Sequence, residues 1–265
     1  MKQLKPSEIL DATIATAEVK AGGSFTRLFM LGIMAGMFIA LGGAAANMGS
    51  YFFALSPETA GIAKFVSGMI FPAGLMMVVL GGGELFTGNN LMFVGVLDKK
   101  ITIGAMLRNW VIVYISNFVG SMIVVFIVVY GGQLETGGGL LEQVTISIAA
   151  GKANIEFWPA LLKGILCNVL VCIAVWMGTG ADSTIGKVWG MFFPIWAFVT
   201  GGYEHCVANM YFVPAGILAD GGATAGLTWA NFWMHNMIPV TIGNILGGSI
   251  FTGAIYYIAF KKAQK

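Results

Sequence analysis

The chain has 265 residues, 57% of them hydrophobic and only 10% charged, with a formal net charge of +2 and a mean hydropathy of +0.83. A water-soluble domain of this length carries about 25% charged residues, so these charges cannot cover a solvated surface. The small net charge, with no basic stripe, excludes a nucleic-acid partner, and no nucleophile–base pair, nucleotide loop or metal-ligand cluster marks an enzyme or calls for a cofactor.

Residues 1–25 are mixed and polar, which argues against a cleaved signal peptide. Within them Pro6–Lys20 reads as a short amphipathic helix. Ile9, Leu10, Thr13, Ile14 and Ala17 share one side, and Glu8 and Asp11 favour its first turn. This helix is expected to lie on the membrane surface or against a neighbouring subunit. A membrane span needs about 20 mostly apolar residues. Six regions qualify: 26–54, 62–97, 103–132, 156–180, 187–218 and 231–260. Polar or glycine-rich breaks separate them, the longest at 133–155.

An even number of spans puts both termini on one side. Lys2, Lys5, Lys20, Arg27, Lys99, Lys100, Arg108, Lys187, Lys261, Lys262 and Lys265 would lie together there, against Lys64, Lys152 and Lys163 on the other. The excess makes the first side cytoplasmic. The expected organisation is therefore a cytoplasmic N-terminal helix (1–25), a first repeat (26–132), an outer connection (133–155), a second repeat (156–260) and a cytoplasmic tail (261–265) in a cell membrane. Cys167, Cys172 and Cys206 are odd in number, lie in apolar stretches and read as packing residues. Trp158, Trp229, Trp233 and Tyr256 read as interfacial anchors.

The second and fifth regions carry a polar interruption in mid-span. Gly81-Gly82-Gly83-Glu84-Leu85-Phe86-Thr87-Gly88-Asn89 and Gly201-Gly202-Tyr203-Glu204-His205-Cys206-Val207-Ala208-Asn209 both obey G-G-x-E-x-x-x-x-N. Spans one and four share F-x(6)-G-I, at Phe25/Gly32-Ile33 and Phe157/Gly164-Ile165. Spans three and six share N-x(7)-N-x(2)-G, at Asn109/Asn117/Gly120 and Asn236/Asn244/Gly247. Three matches in the same order indicate an internal repeat. Each half holds three spans, so the second is expected to be inverted relative to the first. The fold class expected is an all-α polytopic membrane protein with two broken helices.

Irregular backbone at membrane depth survives only under protein cover or along a wet cavity. Two broken helices that meet near the midplane would aim N-terminal N–H groups and positive partial charge at one spot, which favours an anion. His205, one of two histidines, sits there beside Glu204. An ionisable group in such a place is functional by default, and histidine can exchange a proton near neutral pH. Glu84 and Glu204 would repel an anion if exposed and read instead as ties for the loops, with Asn89 and Asn209 at matching positions. Thr87 fits either a helix cap or a pore contact. Lys152 fits either a solvated loop lysine or an attractor of anions.

Gly83-Glu84-Leu85-Phe86-Thr87-Gly88, the run Gly164 to Ala174, Gly202 to Met210, and Ile238-Pro239-Val240-Thr241-Ile242-Gly243-Asn244 resemble the signatures of the formate/nitrite transporter family over nearly the whole chain. The nearest branch suggested is the clostridial hydrosulfide channel. The resemblance implies an aquaporin-like fold, a homopentamer and one pore per protomer. It implies an outer constriction at Phe71 and Phe198, an apolar wall including Val171, and an inner constriction at Leu85 with Leu75. It makes Thr87 a gating threonine, His205 the central pore histidine, Asn168 a polar partner of the loops and Lys152 a lysine of the outer vestibule. The cargo implied is a small monovalent anion or its conjugate acid: hydrosulfide first, then formate and nitrite. A formate- or nitrite-specific channel and an aquaporin-type channel for neutral solutes are the alternatives, and the latter lacks its paired Asn-Pro-Ala motifs here.

Overall fold

The computed structural model describes residues 3–261. Lys2 and the tail residues 262–265, including Lys262 and Lys265, lie outside it. Ten helices and one turn of 3-10 helix (Gln133–Glu135) make up the described chain: α1 (Pro6–Ala21), α2 (Phe25–Ala54), α3 (Pro57–Gly81), α4 (Phe86–Leu97), α5 (Ile103–Tyr130), α6 (Leu140–Ala153), α7 (Phe157–Gly180), α8 (Thr184–Thr200), α9 (Cys206–Asp220) and α10 (Trp229–Lys261). Hydroxyl caps fix several starts: Ser24 accepts from the Arg27 N–H, Thr102 from Ala105, Ser183 from Gly186 and Thr228 from Asn231.

Five helices are long and apolar enough to span a bilayer: α2, α3, α5, α7 and α10. The fifth region read from sequence is not one continuous helix. It divides into α8 and α9 around Gly201–His205, and neither piece reaches spanning length. The second region divides likewise into α3 and α4 around Gly82–Leu85.

Each half repeats the same packing. Helix α2 lies along α5 and α3 in the first, and α7 along α10 and α8 in the second. Glycines allow these close crossings. A Cβ on Gly36 would strike the Asn117 carbonyl, and one on Gly120 the Ile33 carbonyl. In the other half a Cβ on Gly247 would strike the Ile165 carbonyl.

The 133–155 connection holds a helix of its own: Leu141, Val144, Thr145, Ala149 and Ala153 form the buried face of α6, which packs on α9. The amphipathic face of α1 does bury Ile9, Leu10, Thr13, Ile14 and Ala17. It does so within the chain, where Ile9, Leu10 and Ile14 meet Val94 and Trp176.

Candidate functional site: two loops meeting between two cavities

The interruptions have matching backbones. Gly82 and Gly202 take positive φ, +90° and +68°, a region an L side chain rarely enters. Leu85 and His205 then hold extended geometry, at φ −107°, ψ 123° and φ −114°, ψ 115°, as the N-cap residues of α4 and α9.

An asparagine from the following long helix clamps each loop. Asn117 donates Nδ2–H to the Gly32 and Glu84 carbonyls, both at 2.8 Å, and accepts from the Phe86 N–H at 2.9 Å. Asn244 does the same with Gly164 (2.8 Å), Glu204 (2.9 Å) and the Cys206 N–H (2.9 Å). The first N–H of each half-helix is therefore satisfied internally. The expectation of free N-terminal donors for an anion fails at these two positions.

The two glutamates sit in matching polar nests. Glu84 accepts from Lys20 Nζ and Asn89 Nδ2, both at 2.7 Å, and Asn89 donates onward to Asn109 at 2.9 Å. Glu204 accepts from Lys152 Nζ at 2.9 and 3.0 Å and from Asn209 Nδ2 at 2.7 Å, and Asn209 donates to Asn236 at 2.7 Å. Each buried carboxylate is thus paired with a lysine and hydrogen-bonded to an asparagine, as burial of a charge demands. Both act on the loops and neither faces a neighbour of its own sign. Lys152 is not a solvated lysine; its ammonium is held on Glu204. Lys20, Asn109 and Asn236 had no assigned role from sequence. The offset that aligns Gly32 with Gly164 also aligns Lys20 with Lys152, so the repeat contains the signal for that pair.

The halves join at one side-chain contact. Thr87 Oγ1 lies 2.9 Å from His205 Nε2, and both side chains are buried. The Ala208 N–H donates to His205 Nδ1 at 2.9 Å. A main-chain N–H only donates, so Nδ1 accepts, and the neutral ring carries its proton on Nε2 and offers it to Thr87. Thr87 is not a helix cap, because Leu85 holds that place without a side-chain bond. Asn168 donates Nδ2–H toward the carbonyls of Thr87 (3.2 Å) and Asn244 (2.7 Å) and toward Asn90 Oδ1 (2.8 Å). It ties α4 and α10 to α7. Cys206 and Cys172 pack beside these groups, fully buried.

Two cavities approach this contact and share no lining residue. One, of about 340 Å³, lies on the α6 side and reaches Phe71, Phe198 and His205; Lys64, Lys152 and Lys163 line it. The other, of about 260 Å³, lies on the α1 side, reaches Leu75 and Leu85, and is bordered by Lys20. Between them Thr87, Val171 and Asn168 are buried. The Phe71 and Phe198 rings meet edge to face at 5.6 Å between centroids, and Phe198 stacks on His205 at 5.8 Å. Of the apolar residues singled out from sequence, Phe71 and Phe198 line one cavity together with His205, Leu75 and Leu85 line the other, and Val171 lines neither.

A sequence profile described as formate/nitrite transporter matches residues 7–258. The chain belongs to the formate/nitrite transporter family. It is 40% identical over 271 residues to a probable formate transporter of Methanothermobacter thermautotrophicus, covering 97% of each chain. It is 36% identical over 270 residues to the formate channel FocA of Haemophilus influenzae, covering 94% of this chain and 92% of the other. Among solved structures, a pentameric formate channel with formate bound matches with a TM-score of 0.80 at 35% identity, covering 89% of this chain and 98% of that one. Membership makes the chain a membrane transport protein of a family of channels, not an enzyme. Nothing in these likenesses singles out the hydrosulfide branch.

Proposed function

We propose that this chain conducts small monovalent oxyanions, formate foremost, through a pore in each protomer that runs from the α6-side cavity past Phe71, Phe198, His205, Thr87, Val171, Leu85 and Leu75 to the α1-side cavity. The observation that carries the reading is the Thr87–His205 hydrogen bond, a polar bridge between two apolar constrictions at the place where both cavities end. An anion crossing apolar constrictions faces a large desolvation cost. His205 offers it a hydrogen-bond donor, or a proton that turns it into a neutral acid, at the narrowest part. Formate stands ahead of hydrosulfide because related chains carry formate in their names, and no residue here speaks for sulfur.

The two halves form an inverted repeat, which the matched clamps of Asn117 and Asn244 support. The protomers assemble as a homopentamer in a cell membrane; the related formate channel is described as pentameric. The α1 side is cytoplasmic, in line with the distribution of Lys and Arg.

Formate uptake into proteoliposomes, recorded against pH together with current across a planar bilayer, tests this reading. His205→Phe is expected to lower uptake by about tenfold or more and to flatten its pH dependence. Uptake and pH profile identical to the unaltered chain would overturn the role of His205. Absence of formate uptake by the unaltered chain would overturn the cargo.

A further inference from the structure

The two cavities differ in the charge and the donors that line them. The α1-side cavity has one lysine, Lys20, whose ammonium is held by Glu84 and Asn89. Its hydroxyls, on Thr16 and Thr179, donate to carbonyls of their own helices at 2.9 Å. The α6-side cavity has three lysines against one carboxylate, Glu204. Lys152 matches Glu204, and Lys64 and Lys163 form no ion pair among the described residues. Two positive charges are therefore left uncompensated, one on α3 and one on α7. Both lysines are exposed, so their ammoniums are open to a solute, and they lie close enough to feel each other's charge. Ser67 and Ser147 line the same cavity. Unlike Ser50 and Thr145, which donate back to their own helices at 2.7 and 2.8 Å, neither makes such a bond.

Two like charges that face one cavity repel, and a single monovalent anion answers only one of them. An anion with a carboxylate at each end answers both, and its second contact forms within the complex, at high effective concentration. The cavity, at about 340 Å³, is large for formate and falls in the range of small organic ligand sites, ~300–1,000 Å³. Passage is another matter. Phe71 and Phe198 are buried and meet edge to face, and the cost of stripping water from an ion rises with the square of its charge. We propose that the α6-side cavity binds short dicarboxylates, with one carboxylate on Lys64 and the other on Lys163, and that the bound dicarboxylate plugs the pore at Phe71 and Phe198 instead of crossing it. The plugging rests on the proposed pore; the binding does not.

Two measurements on the full chain test it, both at about pH 7.5, where each carboxylate is ionised, and at one ionic strength. Calorimetric titration of the purified protein with malonate, succinate and acetate reads binding. Formate uptake into proteoliposomes, with the same compounds on both sides so that vesicle orientation does not matter, reads plugging. At least one dicarboxylate is expected to bind, and to halve uptake, at a concentration about tenfold or more below that of acetate. Lys64→Gln and Lys163→Gln should each raise that concentration about tenfold, judged against the variant's own uninhibited rate. Thermal unfolding at the unaltered temperature checks that each variant is folded. Dicarboxylates that bind no better than acetate, or that bind both variants as they bind the unaltered chain, would overturn the site. Binding that leaves formate uptake unslowed, or entry of the dicarboxylate into the vesicles, would overturn the plugging. An unaltered chain that binds dicarboxylate through both lysines but takes up no formate would sustain the site and overturn the pore reading instead.

Discussion

Lys152 shows how a residue can be placed correctly and still have its work shared. Sequence reasoning offered a solvated lysine or an anion attractor. In the structure its ammonium sits on Glu204 inside a nest that also holds Asn209 and Asn236. Removing it in Lys152→Met would strand a buried carboxylate, which costs about 3–5 kcal/mol. Thermal unfolding of the purified protein should reveal that loss. A clean test of attraction therefore moves to Lys163, which lines the same cavity, is exposed and forms no ion pair among the described residues. Lys163→Glu should slow formate uptake a few-fold at low salt, and the effect should vanish near 1 M salt, where screening acts within about 3 Å. Equal rates at low salt would remove Lys163 from the attraction. The equivalent positions Leu85 and His205 make the other point at this scale. They share a backbone conformation and a helix-cap position but not a side chain. The repeat builds two similar loops, and this one position makes them chemically different.

Among the elements, the broken helices were legible because a glutamate and paired glycines cannot continue an apolar span. The loop asparagines Asn89 and Asn209 were legible for the same reason. Helix α6 was not. Gly131, Gly132 and Gly137–Gly139 precede it, and its mixed polar sequence carries no spanning signal. Its helical form is secured by packing on α9, a contact that local propensity does not encode. The resting place of α1 was hidden for a related reason. Its apolar stripe shows that something must cover it, but not what. Asn117 and Asn244 were visible as a repeated spacing, and only the coordinates show that each holds a loop through three hydrogen bonds. Asn244→Ala should cost about 2–4 kcal/mol, since it leaves the Cys206 N–H and the Glu204 carbonyl unpaired in a buried place. Asn117→Ala should cost a similar amount. Guanidinium or thermal titration of each variant measures this, and a loss in only one half would show that the two loops are not equally dependent on their clamps.

For the whole molecule, the decisive feature is that two cavities stop short of each other. Phe71, Phe198 and His205 line one of them, Leu75 and Leu85 the other, and the hydrogen bond of His205 with Thr87 joins the two halves of the chain. Barriers in series behave as resistances in series: widening one leaves the flux governed by the other. Leu85→Ala alone should therefore raise formate flux by less than about threefold, and Phe198→Ala alone by a similar factor, since each buried apolar constriction keeps its own desolvation cost. The double variant should exceed the product of the two singles, because only then is the path free of an apolar seal on both sides. Stopped-flow uptake into proteoliposomes, with the four proteins at matched density, gives the cycle directly. A single variant that already matches the double would place the whole barrier at one constriction and leave the other as packing. A double variant no faster than the unaltered chain would place the barrier at the Thr87–His205 bridge itself. In that case the polar contact, and not the apolar rings, limits passage. Relief would then require Thr87→Ala, which removes the acceptor that holds the His205 Nε2–H in line.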